Sequence, residues 1–218
     1  MLTVESAPFP SQLEVFRVSA RDSCAHDDGA RVNGWGRFDT PDRAAELAGP
    51  DDLRRVFRRH AAGVAVVTTR HRHRPVGLLV TSLASVSAAP PLISFNVALS
   101  SSSWPALEQQ DHVGIHLLSA HQAELATRFA RSGADRFAPP TAWHPGPRDV
   151  PVLEGAAAWG LARIQQRVYA GDHVIVVARL LQADTDDEVG PLLHLDGAYH
   201  HAVPAPPPPR LSVVGDDD

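Results

Sequence analysis

GLLVTSLASVSAAPPLISFNVALSSSSW, residues 77–104, is the stretch from which the fold is read. Its first part, 77–87, is apolar and rich in β-branched and small hydroxyl side chains, a composition that disfavours helix and suits a strand, and Pro90-Pro91 close it. A second apolar run, 92–98, predicts another strand. Four serines, Ser100 to Ser103, then lead through Trp104-Pro105 into a short helical pattern ending near Gln110. A helix start exposes amides that lack partners, carries partial positive charge and can be lined with hydroxyl donors, so this order of elements can build a phosphate site. The plainer alternative is a Ser-rich loop in which one serine caps the helix and Pro105 occupies its first turn.

Upstream, Asp51 is a plausible helix cap, because Leu53, Val56, Phe57 and His60 share one helical face and Gly63 can end the helix. The pairs Arg54-Arg55 and Arg58-Arg59 read as its solvated side. A β-branched strand, 64–69, follows. His71-Arg72-His73-Arg74-Pro75 reads as an exposed basic turn rather than a metal site, since no Asp, Glu or Cys is near it.

Downstream, 112–118 predicts a strand. His112 and His116 share one of its faces, but four strand residues hold them about 13 Å apart, too far to chelate one ion, so both read as structural. Ser119 caps a predicted helix, 120–130, with Gln122 at the capping-box position and Gly133 closing it. A proline-rich loop, 139–151, leads to a strand over 156–169, a turn at Ala170-Gly171-Asp172 and a partner strand over 173–183, whose Val174-Ile175-Val176-Val177 centre is expected to be buried on both faces. Residues 192–195, the turn Asp196-Gly197 and 198–201 complete the sheet. Six or seven strands with helices at the edges and no regular βα alternation favour a mainly β fold, an antiparallel barrel with flanking helices, over a doubly wound one.

Composition narrows the chemistry. The 218-residue chain suits one domain with appendages, and a 44% hydrophobic content can bury a core. We read 1–50 as an N-terminal extension, partly disordered or packed on the core, 51–203 as the globular domain, and 204–218 as a proline-rich acidic tail, expected to be disordered. Within the extension, Gly34-Trp35-Gly36 lacks the preceding strand and third glycine of a dinucleotide fingerprint. The net charge of −5 argues against a nucleic-acid surface, and no apolar run reaches the ~18–20 residues of a membrane span, so a cytoplasmic location is expected. The single cysteine, Cys24, rules out an intramolecular disulfide framework. All 20 basic residues are arginine, which excludes lysine Schiff-base chemistry, pyridoxal-phosphate catalysis and a P-loop ATPase. No G-x-S-x-G elbow or H-E-x-x-H motif occurs.

From about Leu53 to Tyr199 the chain resembles the short-chain flavin reductases of the FMN-binding split β-barrel fold, the reductase components of two-component flavin-dependent monooxygenases. The likeness rests on FRRHAAGVAVVTT, GLLVTSLASVSAAPPL, SSSSWPAL, RFARSGADRF, the Ala-Gly-Asp-His turn at 170–173 and PLLHLDGAY, in that order. The resemblance implies a homodimer that binds FMN or FAD, takes hydride from NADH or NADPH as co-substrate, and delivers reduced flavin to a separate monooxygenase component. It implies that Val80, Thr81 and Ser82 face the isoalloxazine ring, that Ser100, Ser101, Ser102 and Ser103 hold the ribityl and phosphate, and that Leu79, Ala98, Trp104, Arg136 and Phe137 belong to the same cofactor site. His173 inherits the contact to the nicotinamide nucleotide; the alternative for it is a capping histidine at a hairpin corner. Two positions depart from the family pattern: Leu79, where many relatives have Thr, and Leu99, where many have a basic residue. Loss of a charge-assisted phosphate contact costs on the order of 1.5–3 kcal/mol, which implies a loosely held flavin with Arg131 or Arg136 as replacement.

Hydride transfer between two planar rings requires alignment at about 3–3.5 Å and little acid or base chemistry, so a cleft of small and hydroxyl residues suffices. The rival readings are a flavin- or haem-binding carrier or sensor of the same fold that lacks reductase activity, and a purely structural descendant.

Overall fold

A computed structural model describes residues 48–205. The predicted N-terminal extension up to residue 47 and the tail beyond residue 205 lie outside the described residues.

Helix α1 (Pro50–Phe57) starts two residues earlier than expected, with Gly49 rather than Asp51 as its cap, and Asp52 accepts the Gly49 N–H at 3.0 Å. It ends at Phe57, and Gly63 falls instead in a short strand, β1 (Ala62–Gly63). The arginines of α1 are solvated, as expected, and Arg54 and Arg55 pair with Asp51 and Asp52 at 2.6 Å. Strands β2 (Ala65–His71) and β3 (Arg74–Val80) form a hairpin across the expected basic turn, where Arg72 and His73 both adopt positive φ.

The reading of 77–87 as one strand is corrected. β3 ends at Val80, residues 81–83 bend, and a separate strand, β4 (Ala84–Ser87), follows and pairs with β5 (Leu92–Ala98). Helix α2 (Trp104–Gln109), strand β6 (His112–Leu117) and helix α3 (Ala123–Ala130) come next. α3 begins three residues later than predicted: Ser119 is drawn into a bridge with Pro191, although the Gln122 side chain does accept the Ser119 N–H at 3.0 Å. The proline-rich loop contains a short antiparallel pair, β7 (Trp143–Pro145) and β8 (Pro151–Leu153). The predicted long hairpin is present as β9 (Ala158–Ala170) and β10 (His173–Thr185), and β11 (Leu192–Leu195) and β12 (Ala198–His201) join β1 in a small sheet.

The main sheet is antiparallel and ordered β3-β2-β6-β9-β10-β5-β4. Laid flat, its two edges would stand about 29 Å apart. The chain nevertheless passes from edge strand β3 to edge strand β4 through residues 81–83, a link that reaches about 14 Å at most. The sheet must therefore curl until its edges approach. The Asn96 N–H of β5 donates to the Ser82 hydroxyl of this link at 2.9 Å. Edges that approach without a continuous ladder make a split barrel.

Strand alternation sorts the core. Ala65, Val67, Val80, Phe95, Val97, Val113, Ala162, Val174 and Val176 fill the barrel, with Trp104 and Leu107 of α2 packed onto the same cluster. Val64 and Val66 belong to the cluster outside the barrel with Ala126 and Phe129 of α3, Leu153 and Leu192. β2 is thus covered on both faces, which accounts for its unbroken apolar sequence. In β10, Val174 and Val176 are buried, whereas Ile175 and Val177 are only half-buried, correcting the expectation of burial on both faces. Among the described residues no helix is long and apolar enough to cross a membrane, and no cluster of His, Cys, Asp or Glu could hold a metal ion.

Candidate functional site

Where the sheet edges meet outside the barrel, a cleft of about 700 Å³ opens between the end of β3, the bend after it, β5, α3 and the β9–β10 turn. That volume is ordinary for a small-molecule site. Of the residues expected to contact cofactor or nicotinamide, Leu79, Val80, Thr81, Ser82, Ala98, Ser101, Arg136 and His173 line this one cleft. They come from four separate segments, brought together by the curl of the sheet.

The bend carries unspent hydrogen-bonding capacity. Residues 81–83 belong to no strand and make no backbone–backbone hydrogen bond among the described residues. Their peptide groups are free for a ligand with a polar edge.

The serines divide by position. Ser101 lines the cleft, while Ser100 and Ser102 are exposed outside its lining. Ser103 is buried and donates its hydroxyl to the Gly77 carbonyl at 3.0 Å. It stands at the N-cap of α2 but makes no side-chain cap bond, so the hydroxyl predicted as a possible cap instead ties the serine turn to β3. Trp104 is buried and meets Tyr169 edge-on at 6.3 Å, and Phe137 packs edge-on between Phe129 and Trp143 at 5.4 and 5.5 Å. Neither Trp104 nor Phe137 lines the cleft; both support its walls.

Arg136 fixes one end. Its Nη1 donates to the Gly77 carbonyl at 2.8 Å and to the Ser103 hydroxyl at 3.2 Å, and its Nη2 donates to the Arg131 carbonyl at 3.1 Å. Its Nε is buried without a partner. Desolvation pushes the guanidinium below its ordinary pKa, and Arg136 forms no ion pair among the described residues. A partly buried cation held only by neutral oxygens is a ready site for an anion. Leu99 is exposed and holds the nearby turn through its N–H, donated to the Asp172 carbonyl at 2.9 Å. Of the two arginines expected to replace the missing basic group at 99, Arg136 reaches the cleft and Arg131 does not line it.

His173 stands on the hairpin side, opposite Ala98 in the β5–β10 register. Its Nδ1 and the Asp172 Oδ1 lie 2.7 Å apart. A carboxylate only accepts, so Nδ1 carries the hydrogen and Nε2 is left for a ligand. Hydrogen bonding to His173 holds the Asp172 carboxyl below its usual range.

Asn96, Phe129, Ala130, Ala170, Ile175 and Leu78 also line the cleft and were not singled out from sequence. Only Asn96 carries a local signal, as a polar residue inside the apolar run ISFNVA. A second cavity, of about 710 Å³, adjoins the first: it shares Thr81, Ser82 and Asn96 and extends to Arg54, Phe57, His60 and His194.

A family profile described as flavin reductase like domain matches residues 57–202. A protein of Rhodococcus qingshengii named NADH:FMN oxidoreductase is 41% identical over 177 residues, covering 76% of this chain and 92% of that protein. A flavin-dependent monooxygenase reductase subunit of Rhodococcus jostii is 31% identical over 168 residues, covering 75% of this chain and 86% of its own length. Among solved structures, a flavin reductase domain protein from Arthrobacter superposes with a TM-score of 0.68 at 41% identity, covering 72% of this chain and 97% of that one.

Proposed function

Because this chain belongs to the flavin reductase like family, we propose that it is an NAD(P)H:flavin oxidoreductase that reduces FMN or FAD for a separate monooxygenase component. The reading is carried by Arg136, a partly buried cation without a carboxylate partner among the described residues, at one end of a cleft whose other lining is apolar, hydroxyl-bearing or, at Asn96 and His173, a neutral polar group or imidazole.

The residues present fit a flavin. Leu79 and Val80 offer an apolar surface to its ring, the free peptide groups of residues 81–83 suit its polar edge, and Ser101 and Arg136 suit its phosphate. Bound flavin supplies a hydride acceptor for NADH or NADPH and carries the two electrons onward. The protein's part is to hold and orient. His173 presents Nε2 to the nicotinamide nucleotide, with Asp172 fixing which ring nitrogen keeps its hydrogen. No residue needs to act as acid or base, which agrees with a cleft that contains no carboxylate in its lining.

We also infer that the chain works as a homodimer. Leu53, Val56 and Phe57 of α1 and Val168, Tyr169 and Leu181 of the long hairpin are exposed apolar residues that a second subunit would cover. A cytoplasmic location, where NADH and NADPH are available, accompanies this reading.

The test is NADH or NADPH oxidation followed at 340 nm with added FMN or FAD. The expected rate scales with enzyme. His173→Ala lowers kcat/KM for the nicotinamide nucleotide, and Arg136→Ala raises KM for FMN, each by roughly 10- to 100-fold as for loss of a charge-assisted hydrogen bond. A protein that binds flavin but oxidises neither nucleotide would instead be a carrier or sensor.

A further inference from the structure

We propose that Asn96 reads the pyrimidine edge of the bound flavin, its carboxamide oxygen accepting the ring N3–H and its NH2 donating to the adjacent ring carbonyl. The assignment rests on the flavin reading above and adds to it a residue that fixes which way round the ring lies.

Asn96 sits in β5 between Phe95 and Val97, which are 0% and 1% exposed inside the barrel. Alternation therefore turns its side chain outward, toward the cleft. Its backbone is fixed twice, by register with Ile175 of β10 and by the N–H donated to the Ser82 hydroxyl at 2.9 Å. Its carboxamide makes no hydrogen bond among the described residues. A strand-borne amide held in place but left unspent is prepared for a ligand.

The chemistry of the walls assigns the ring's ends. Leu79 and Ala130 give the cleft an apolar surface, whereas Thr81, Ser82 and Asn96 form a polar rim shared with the second cavity. A flavin ring has an apolar dimethylbenzene end and a polar dione end, so the dione end belongs at the rim. There a carboxamide offers a donor and an acceptor side by side, the complement of adjacent N–H and C=O groups.

The experiment compares binding of FMN and N3-methyl-FMN by flavin fluorescence in the wild-type chain, Asn96→Ala and Asn96→Asp. Methylation removes the N3–H, and the wild type is expected to bind N3-methyl-FMN about three- to tenfold more weakly than FMN, as for one neutral hydrogen bond. Asn96→Ala is expected to bind FMN weaker by a similar factor and to bind the two flavins alike. Asn96→Asp keeps an acceptor oxygen and retains the discrimination; it also serves if the alanine variant folds poorly. Equal binding of the two flavins by the wild type, or an unchanged preference in Asn96→Ala, overturns the assignment while leaving the flavin site standing. Failure of the wild type to bind FMN at all overturns the flavin reading and the assignment with it.

Discussion

His116 is fully buried, and both ring nitrogens are occupied: Nδ1 lies 3.2 Å from the Val66 carbonyl, and Nε2 lies 3.1 Å from the Leu153 N–H, which donates to it. A carbonyl only accepts and an N–H only donates, so the ring is neutral with its hydrogen on Nδ1. Burial lowers its pKa from 6.5 to about 4. The unfolded chain gains a proton as the pH drops below about 6.5, whereas the folded chain resists protonation until about 4. Stability from this group is therefore complete above 6.5 and lost as the pH falls toward 4, by on the order of 3 kcal/mol. Urea unfolding at pH 7.5 and 5 is expected to show about 2 kcal/mol of that loss, and His116→Asn is expected to be weaker at pH 7.5 but flatter between the two. The spacing of His112 and His116 already excluded a shared metal. The two backbone partners were not legible, because they lie 50 and 37 residues away in sequence.

At the scale of elements, the meeting of β3 with α3 sets one wall of the cleft. Gly77 has no side chain because there is no room for one: a Cβ there would lie 2.7 Å from Phe129 Cε1 and 3.2 Å from Phe137 Cζ. Its carbonyl also receives both Ser103 and Arg136. Gly77→Ala is expected to push Phe129 away from β3, destabilise the fold by roughly 1–3 kcal/mol in urea titrations, and weaken FMN binding in parallel. Most elements were legible from local pattern: the β2–β3 hairpin, β5, β6 and the long β9–β10 hairpin follow alternation and turn chemistry. Besides the ends of α1, two boundaries were not. The run 77–87 is apolar throughout, and nothing local marks the break at residues 81–83, which the curl of the sheet imposes. Ser119 with Gln122 has the spacing of a helix start, but Ser119 bridges to Pro191 and a turn closed by the Gln122 N–H on the Ser119 carbonyl intervenes before α3 begins at Ala123.

The whole molecule leaves apolar side chains exposed at α1 and along the long hairpin, including Phe57 at 59% and Tyr169 at 62%. Sedimentation velocity at micromolar concentration is expected to give a species of twice the mass of the 218-residue chain, and charged substitutions at Val56 and Phe57 are expected to shift it toward the single chain. A wild-type chain that sediments as a single copy would remove the dimer from the proposed function. By itself the sequence determined the β-rich class, the succession of strands and helices, the absence of lysine chemistry and the identity of most cleft residues, because strand alternation, turn residues and ordered motifs are local properties. Only the tertiary structure decided that β3 and β4 lie on opposite edges of one curled sheet, that Ser103 is spent on a carbonyl rather than a ligand, and that Arg136 and Asn96 share a cleft. Those outcomes depend on sheet closure, which joins residues as far apart as Gly77 and Arg136, and no local periodicity encodes which distant edges will meet.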